Sequence, residues 1–301
     1  MNKSRIILAT LLTTLLGGSL YSIVKLGFSV YQVKTTTDIV LFAGIRFTLC
    51  GAIITAFAAI KNKESFHAAK QSLFPITLTG VFSIVLHCGL SYIGMGLIDS
   101  SKTAILKQIG SLLYVCFSFL FFKEDRPTFL KIAGALLGFC GIIALNLSAA
   151  GLRFSLGDII ILLSSFCSVF SDILSKRVFQ KVSSLTATGI AQFSGGAILL
   201  LIGWLTGGTV HFSLDGSLWI MIYICTASIL IYSIWYGVIK KGELSKLFIV
   251  KFSEPMFACL FGALILKENI LKIQYLVAFL LITAGIYVSH LTFQKKKTVK
   301  K

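Results

Sequence analysis

Residues 38–60 read DIVLFAGIRFTLCGAIITAFAAI. Only Asp38 and Arg46 break the apolar run with charge. Wound as an α-helix at 1.5 Å per residue it is about 34 Å long, enough to cross the roughly 30 Å hydrocarbon core of a bilayer. Nine further runs of this kind flank it, with short polar breaks between them. Together the expected spans are 6–26, 38–60, 74–95, 101–122, 128–147, 157–177, 184–206, 217–239, 244–266 and 270–292. The first run follows Lys3 and Arg5, as a secretory signal does, but it continues to about Leu26 without a convincing cleavage site and is read as a span.

The composition agrees. The chain has 301 residues, 56% hydrophobic and 13% charged, with a mean hydropathy of +0.91. Soluble domains carry about 25% charged residues, so this chain has too little polar surface to cover a globule in water. The seven cysteines stand singly inside apolar runs, with no CxxC spacing. That pattern is neither a disulfide framework nor a zinc site, and small buried side chains account for it. No metal and no cofactor is expected.

The formal charge of +17 would suit nucleic acid in a soluble protein. In a membrane protein its placement decides. With the N-terminus in the cytoplasm, nineteen Lys and Arg fall on the inside, ending in the basic tail Lys295, Lys296, Lys297, Lys300 and Lys301. Six fall outside: Lys25, Lys34, Lys102, Arg153, Lys267 and Lys272. Cytoplasmic loops carry the excess of positive charge, so both termini are expected in the cytoplasm and no nucleic-acid partner is expected.

The two halves of the chain coincide at polar positions. A shift of 144 places Tyr92 on Tyr236, Ser101 on Ser245, Lys102 on Lys246, Lys107 on Lys251, Lys123-Glu124 on Lys267-Glu268 and Gly141 on Gly285. A shift of 145 places Gly51-Ala52-Ile53 on Gly196-Ala197-Ile198, and a shift of 149 places Ser19 and Ser22 on Ser168 and Ser171. Residues 1–149 and 150–301 therefore read as two copies of one five-helix unit. An odd number of spans per copy inverts the second relative to the first. The expected fold is an all-α membrane protein of ten transmembrane helices, two inverted five-helix repeats around a central cavity. Transporters build alternating access this way, with the site near the midplane.

On several short motifs the chain resembles the EamA family of the drug/metabolite transporter superfamily. They are Arg46-Phe47, the run Ser100-Ser101-Lys102-Thr103-Ala104, Lys123-Glu124-Asp125 with Gly134, Gly138 and Gly141 after it, Glu254-Pro255, Lys267-Glu268-Asn269 and Gly285. The resemblance implies a cavity lined mainly by the first, third, fourth, sixth, eighth and ninth helices. It also implies export or exchange of amino acids and related metabolites, driven by a proton or counter-substrate gradient. The chain departs from the family in having Ser111 where a proline often matches Pro255.

Ionisable residues at bilayer depth cost roughly 2.5–3.5 kcal/mol each on insertion scales, so they face a cavity or a partner. Lys107 and Lys251, at matching positions of the two copies, read as cavity cations for a carboxylate or phosphate; the alternative is snorkelling to the interface. Glu254 follows Lys251 by three residues on the same helix face, and Pro255 breaks the helix beside it. Arg46 is expected to brace the bundle through an acid or backbone carbonyls. Asp172, four residues before Lys176, suits an interfacial pair. His87 could titrate near neutral pH or be hydrogen-bonded within the bundle. Tyr92, Trp235 and Tyr236 suit an interfacial aromatic belt or a gate at the cavity mouth. Glycines such as Gly17-Gly18 and Gly195-Gly196 allow close helix contact.

No P-loop, HExxH, GxSxG or dinucleotide fingerprint occurs. The expected function is secondary transport, in the export direction, of amino acids or related small carboxylates across a bacterial inner membrane, without enzymatic activity. The other readings weighed are a phosphorylated-metabolite or nucleotide-sugar exchanger, a cation exporter using Glu254 and the aromatics, and an intramembrane lipid-modifying enzyme.

Overall fold

Each apolar run of the sequence carries helix wherever the computed structural model describes it: residues 3–61, 63–110, 129–148, 151–178, 182–212, 217–239 and 253–298. In chain order the helices are α1 (Lys3–Val30), α2 (Thr36–Lys61), α3 (Lys63–Gln71), α4 (Leu73–Gly80), a π-helical segment (Val81–Gly89), α5 (Leu90–Leu97) and α6 (Ser100–Lys107). After these come α7 (Phe129–Asn146), α8 (Leu156–Val178), α9 (Ser184–Leu205), α10 (Leu218–Ile239), α11 (Glu254–Leu266) and α12 (Ile273–Thr298). The only strands among the described residues are β1 (Leu147–Ser148) and β2 (Gly151–Leu152), a short antiparallel pair.

Four described stretches are long and apolar enough to cross a membrane: Leu8–Val30, Thr36–Lys61, Leu73–Leu97 and Ser184–Leu205. Shorter apolar helices accompany them. Large apolar side chains cover the outside, for example Leu201, Trp204 and Leu205 on α9 and Ile53, Phe57 and Ile60 on α2. Water does not tolerate so continuous an apolar exterior; lipid does.

The helix starts are set by local chemistry. Thr35 and Asp38 exchange hydrogen bonds at the head of α2, with the Asp38 amide on Thr35 Oγ1 at 3.2 Å and the Thr35 amide on Asp38 Oδ2 at 2.9 Å. Ser155 and Asp158 do the same at the head of α8. Both are capping boxes that satisfy the free amides of a first turn. The polar stretch after residue 61, read from the sequence as a loop, is instead helix α3. Its Ala69 is buried against Ile76, Val178 and Ala187, while Glu64, His67 and Lys70 stay exposed.

α2 packs along α9, α7 along α12, and α1 between α10 and α11. α8 packs on the α4–α5 rod and on α6, and α6 also touches α11. Small residues make these approaches possible, because apolar burial drives little helix association inside lipid. A Cβ on Gly51 would collide with the backbone of Phe193, and one on Gly196 with the backbone of Thr48. Gly17 and Gly18 admit Glu254, Phe257 and Ala258 of α11 in the same way. Gly51→Leu is therefore expected to abolish the monodisperse peak on size-exclusion chromatography in detergent. Leu201→Ala, on the lipid face, should leave that peak intact.

Candidate functional site

Between the helices lies a cavity of about 370 Å³, within the usual size of small-molecule sites. It runs from Ile76, Val178 and Ala187 at one end to Val24, Tyr92 and Met95 near the other. Of the residues singled out by sequence, Arg46, His87, Tyr92, Lys107 and Glu254 all line it. Lys251 lies outside the described residues, as do the side chains of Trp235 and Tyr236 in α10 and of Asp172 and Lys176 in α8. The helices implied to line the cavity do so, but so do α2, through Arg46 and Phe47, and α9, through Thr188, Ala191 and Gln192. Close α2–α9 packing is what brings them in.

Arg46 meets a different partner from the acid or backbone carbonyls expected of it. It is buried, and among the described residues no acid pairs with it. One guanidinium nitrogen donates to Ser228 Oγ at 2.5 Å. The guanidinium carbon lies 4.7 Å from the centroid of the Phe47 ring and 5.3 Å from that of Tyr92. Such contacts are worth about 0.5–2 kcal/mol, and they supply no counter-charge; Nε is unpaired among the described residues. Tyr92 is correspondingly not in an interfacial belt. It is buried against Phe28 and Phe47, and its hydroxyl has no partner among the described residues.

Lys107 ends α6 with Nζ 5.5 Å from the Tyr21 ring centroid, so it points inward rather than snorkelling. Cys88 is within Coulombic reach of both Arg46 and Lys107. Glu254 opens α11, and Gly17 gives its carboxylate room: a Cβ there would sit 2.9 Å from Oε1. Pro255 follows in the first turn of the helix, where its missing N–H costs nothing. His87 braces α8: its Nδ1 is 2.9 Å from the carbonyl oxygen of Ser164, whose Oγ donates to the His87 carbonyl at 2.8 Å. The Ser164 hydroxyl also stands 3.1 Å from Nδ1.

Two features were missed in the sequence. Thr188 and Gln192 stand four residues apart on one face of α9, both buried and both lining the cavity. The Thr188 hydroxyl and both polar atoms of Gln192 have no partner among the described residues. A buried polar group left unpaired costs about 1–3 kcal/mol. The signal was present as two polar residues at i, i+4 in an apolar run.

The second feature is a polar cluster at the head of α6. α11 ends on Lys267 in the left-handed region (φ 56°), a conformation unfavourable for a residue with a Cβ, and this turns Glu268 towards the head of α6. Its carboxylate accepts from the Ser100 amide at 2.7 Å, the Ser101 amide at 3.0 Å and the Ser101 hydroxyl at 2.5 Å. Lys25 of α1 donates to the Ile98 carbonyl at 2.5 Å and stands 3.7 Å from Glu268 and 3.9 Å from Asp99. Burial pushes the Glu268 carboxyl up, but the hydrogen bonds from Ser101 and Ser100 outweigh it and hold it below the usual carboxylate range. Beside this cluster, Lys102 pairs with fully buried Asp158 at 2.7 Å and reaches Asn146 Oδ1 at 2.9 Å.

A cavity of this kind in an apolar bundle can be set against known proteins. The sequence profile of the EamA-like transporter family matches residues 4–147 and again 155–291. The chain belongs to the EamA-like transporter family. Its relatives include the uncharacterised transporter YoaV of Bacillus subtilis, 21% identical over 97% of this chain and 99% of that one. Another is the S-adenosylmethionine/S-adenosylhomocysteine transporter of Chlamydia muridarum, 20% identical over 75% of each chain. One solved crystal structure covers 98% of this chain and 99% of its own with a TM-score of 0.63 and 19% identity, which speaks to the fold alone. This EamA-like chain is thus a multi-pass membrane transporter of a small molecule.

Proposed function

We propose that this EamA-like protein is a secondary active exporter or exchanger of amino acids or closely related carboxylates, working by alternating access. The observation that carries the reading is Arg46: a buried guanidinium on the cavity wall with no acid partner among the described residues. Isolated buried charge is strongly unfavourable, and a cargo carboxylate would compensate it bidentately. Lys107 adds a second cation and Glu254 a pole for a cargo ammonium. The cargo named for the Chlamydia muridarum relative, an amino acid in both its forms, fits such a pair of poles. A doubly charged phosphate ester would suit the two cations but face repulsion from Glu254.

Ten spans, arranged as inverted repeats over 1–149 and 150–301, belong to the same proposal. Two family matches in tandem support it. So does the packing: exchanging the halves turns the α1–α10 contact into that of α8 with α5 and the π-helical segment, and the α1–α11 contact into α8–α6. The α2–α9, α7–α12 and α6–α11 contacts map onto themselves. The Lys and Arg bias supports termini in the cytoplasm, and the reading takes the membrane as a bacterial inner membrane with the Glu268 cluster at the outer end. A cavity reaching from that end towards Val178 and Ala187 is then the inward-facing form. A proton or counter-substrate gradient drives the cycle.

Thermal stabilisation of the purified protein tests the cargo class, because any ligand that prefers the folded state stabilises it. Free L-amino acids and keto acids are expected to raise Tm, while their methyl esters do not. Stabilisation by esters and simple amines but not by carboxylates would overturn the reading.

A further inference from the structure

We propose that Gln192 and Thr188 form a second subsite of the cavity, which receives the flat donor–acceptor edge of an amide, as in a primary carboxamide or a nucleobase. This rests on the reading of Arg46 as the carboxylate site and adds what the far end of the cargo must be.

Both side chains are more than nine-tenths buried and line the cavity, and their polar atoms have no partner among the described residues. The chemistry of Gln192 selects the ligand. Its carboxamide presents a donor and an acceptor in one plane. A carboxylate would satisfy only the NH₂ group, and an ammonium only the oxygen. A coplanar edge carrying one donor and one acceptor satisfies both at once, the match glutamine makes with adenine in nucleic-acid complexes. Thr188, one turn away, adds a hydroxyl able to give or accept. Small and uncharged residues stand nearby. Gly80 packs on Ala191 and Phe82 on Phe170, which sets Thr79 and Ser171 at this level. The Thr79 hydroxyl is spent on the Pro75 carbonyl.

The spacing follows from the helices. Gly51 lies against Gln192 and Phe193 where α2 crosses α9, and Arg46 is five residues along α2. At 1.5 Å per residue the backbone positions that carry the two subsites are offset by about 7–8 Å along α2. The cargo class is therefore elongated, with a carboxylate at one end and an amide edge at the other, rather than an amino acid with an apolar tail.

Matched probes test this: L-glutamine against L-norleucine, and orotate against benzoate, with Kd measured on the purified protein. The wild type is expected to bind the amide-bearing member of at least one pair tenfold more tightly, about 1.4 kcal/mol. Which pair shows the preference tells a carboxamide from a nucleobase. In Gln192→Leu and in the isosteric Gln192→Glu the preference should shrink to within twofold. The Tm of ligand-free Gln192→Leu should be equal or higher, since a buried amide without partners is removed; a purely structural glutamine would lower it. Equal binding within both pairs, or a preference that survives both variants, overturns the subsite while Arg46-dependent binding of all four probes leaves the carboxylate reading standing. Failure of all four probes to bind the wild type overturns both.

Discussion

Arg46→Gln is expected to weaken carboxylate cargo at least a hundredfold, about 2.7 kcal/mol, without lowering the stability of the ligand-free protein. The two halves of that result come from one geometry. Removing one partner of a buried, hydrogen-bonded charge pair costs about 2–5 kcal/mol, and the cargo carboxylate is the partner that would be stranded. In the ligand-free protein nothing is stranded. Ser228, which accepts from Arg46, keeps its own bond to the Ile224 carbonyl at 2.7 Å, and Phe47 and Tyr92 lose only a cation over their faces. Burying a neutral amide is cheaper than burying an uncompensated guanidinium, so Tm should hold or rise. Arg46→Lys should fall between, because an ammonium lacks the planar fork that grips a carboxylate in two places. Transport in proteoliposomes beside a melting curve reads both quantities. A large drop in Tm with cargo affinity retained would return Arg46 to a bracing role.

What the sequence revealed about this site follows from how membranes penalise polarity. An ionisable side chain in an apolar run has few places to go, so Arg46, His87, Tyr92, Lys107 and Glu254 could be found by charge, titratability or matching position in the two halves, and all five line the cavity. Their partners were not legible. Whether Arg46 meets an acid depends on helices from both halves, and Ser228 is 182 residues away. Neutral polar residues escaped because weight was given to charge: Thr188 and Gln192 cost the bilayer less and so signal less. Glu268 was visible only as a motif after α11. Its reach to Ser100, 168 residues distant, depends on Lys267 taking the left-handed conformation, which no local pattern there announces.

Glu268→Ala is expected to open the outer end. Met95, 2% exposed and lining the cavity, is the place to watch. With native cysteines replaced, Met95→Cys should resist a membrane-impermeant maleimide applied from outside, and adding Glu268→Ala should accelerate labelling at least tenfold. The carboxylate accepts three hydrogen bonds at the head of α6 and faces Lys25. Bonds to a charged group are worth about 1.5–3 kcal/mol each, and water on the opened side repays part of them, so a net loss near 1.4 kcal/mol, a tenfold shift of the equilibrium, is a conservative expectation. Ser101→Ala, which removes only the hydroxyl, should give a smaller acceleration. Acid should not mimic the mutation in the physiological range. A carboxyl held below its unfolded value, about 4.3, contributes its full stabilisation above that pH and loses it only as pH falls through the lower folded value. Measured at one pH at a time, so that the thiolate fraction of the probe cysteine cancels, the acceleration caused by Glu268→Ala should therefore be the same at pH 5.5 as at pH 7.5, which separates this cluster from any proton-driven step elsewhere in the cavity. Labelling that is unchanged by Glu268→Ala would mean that the apolar packing of Val24, Phe28 and Tyr92, not the carboxylate, holds the outer end shut.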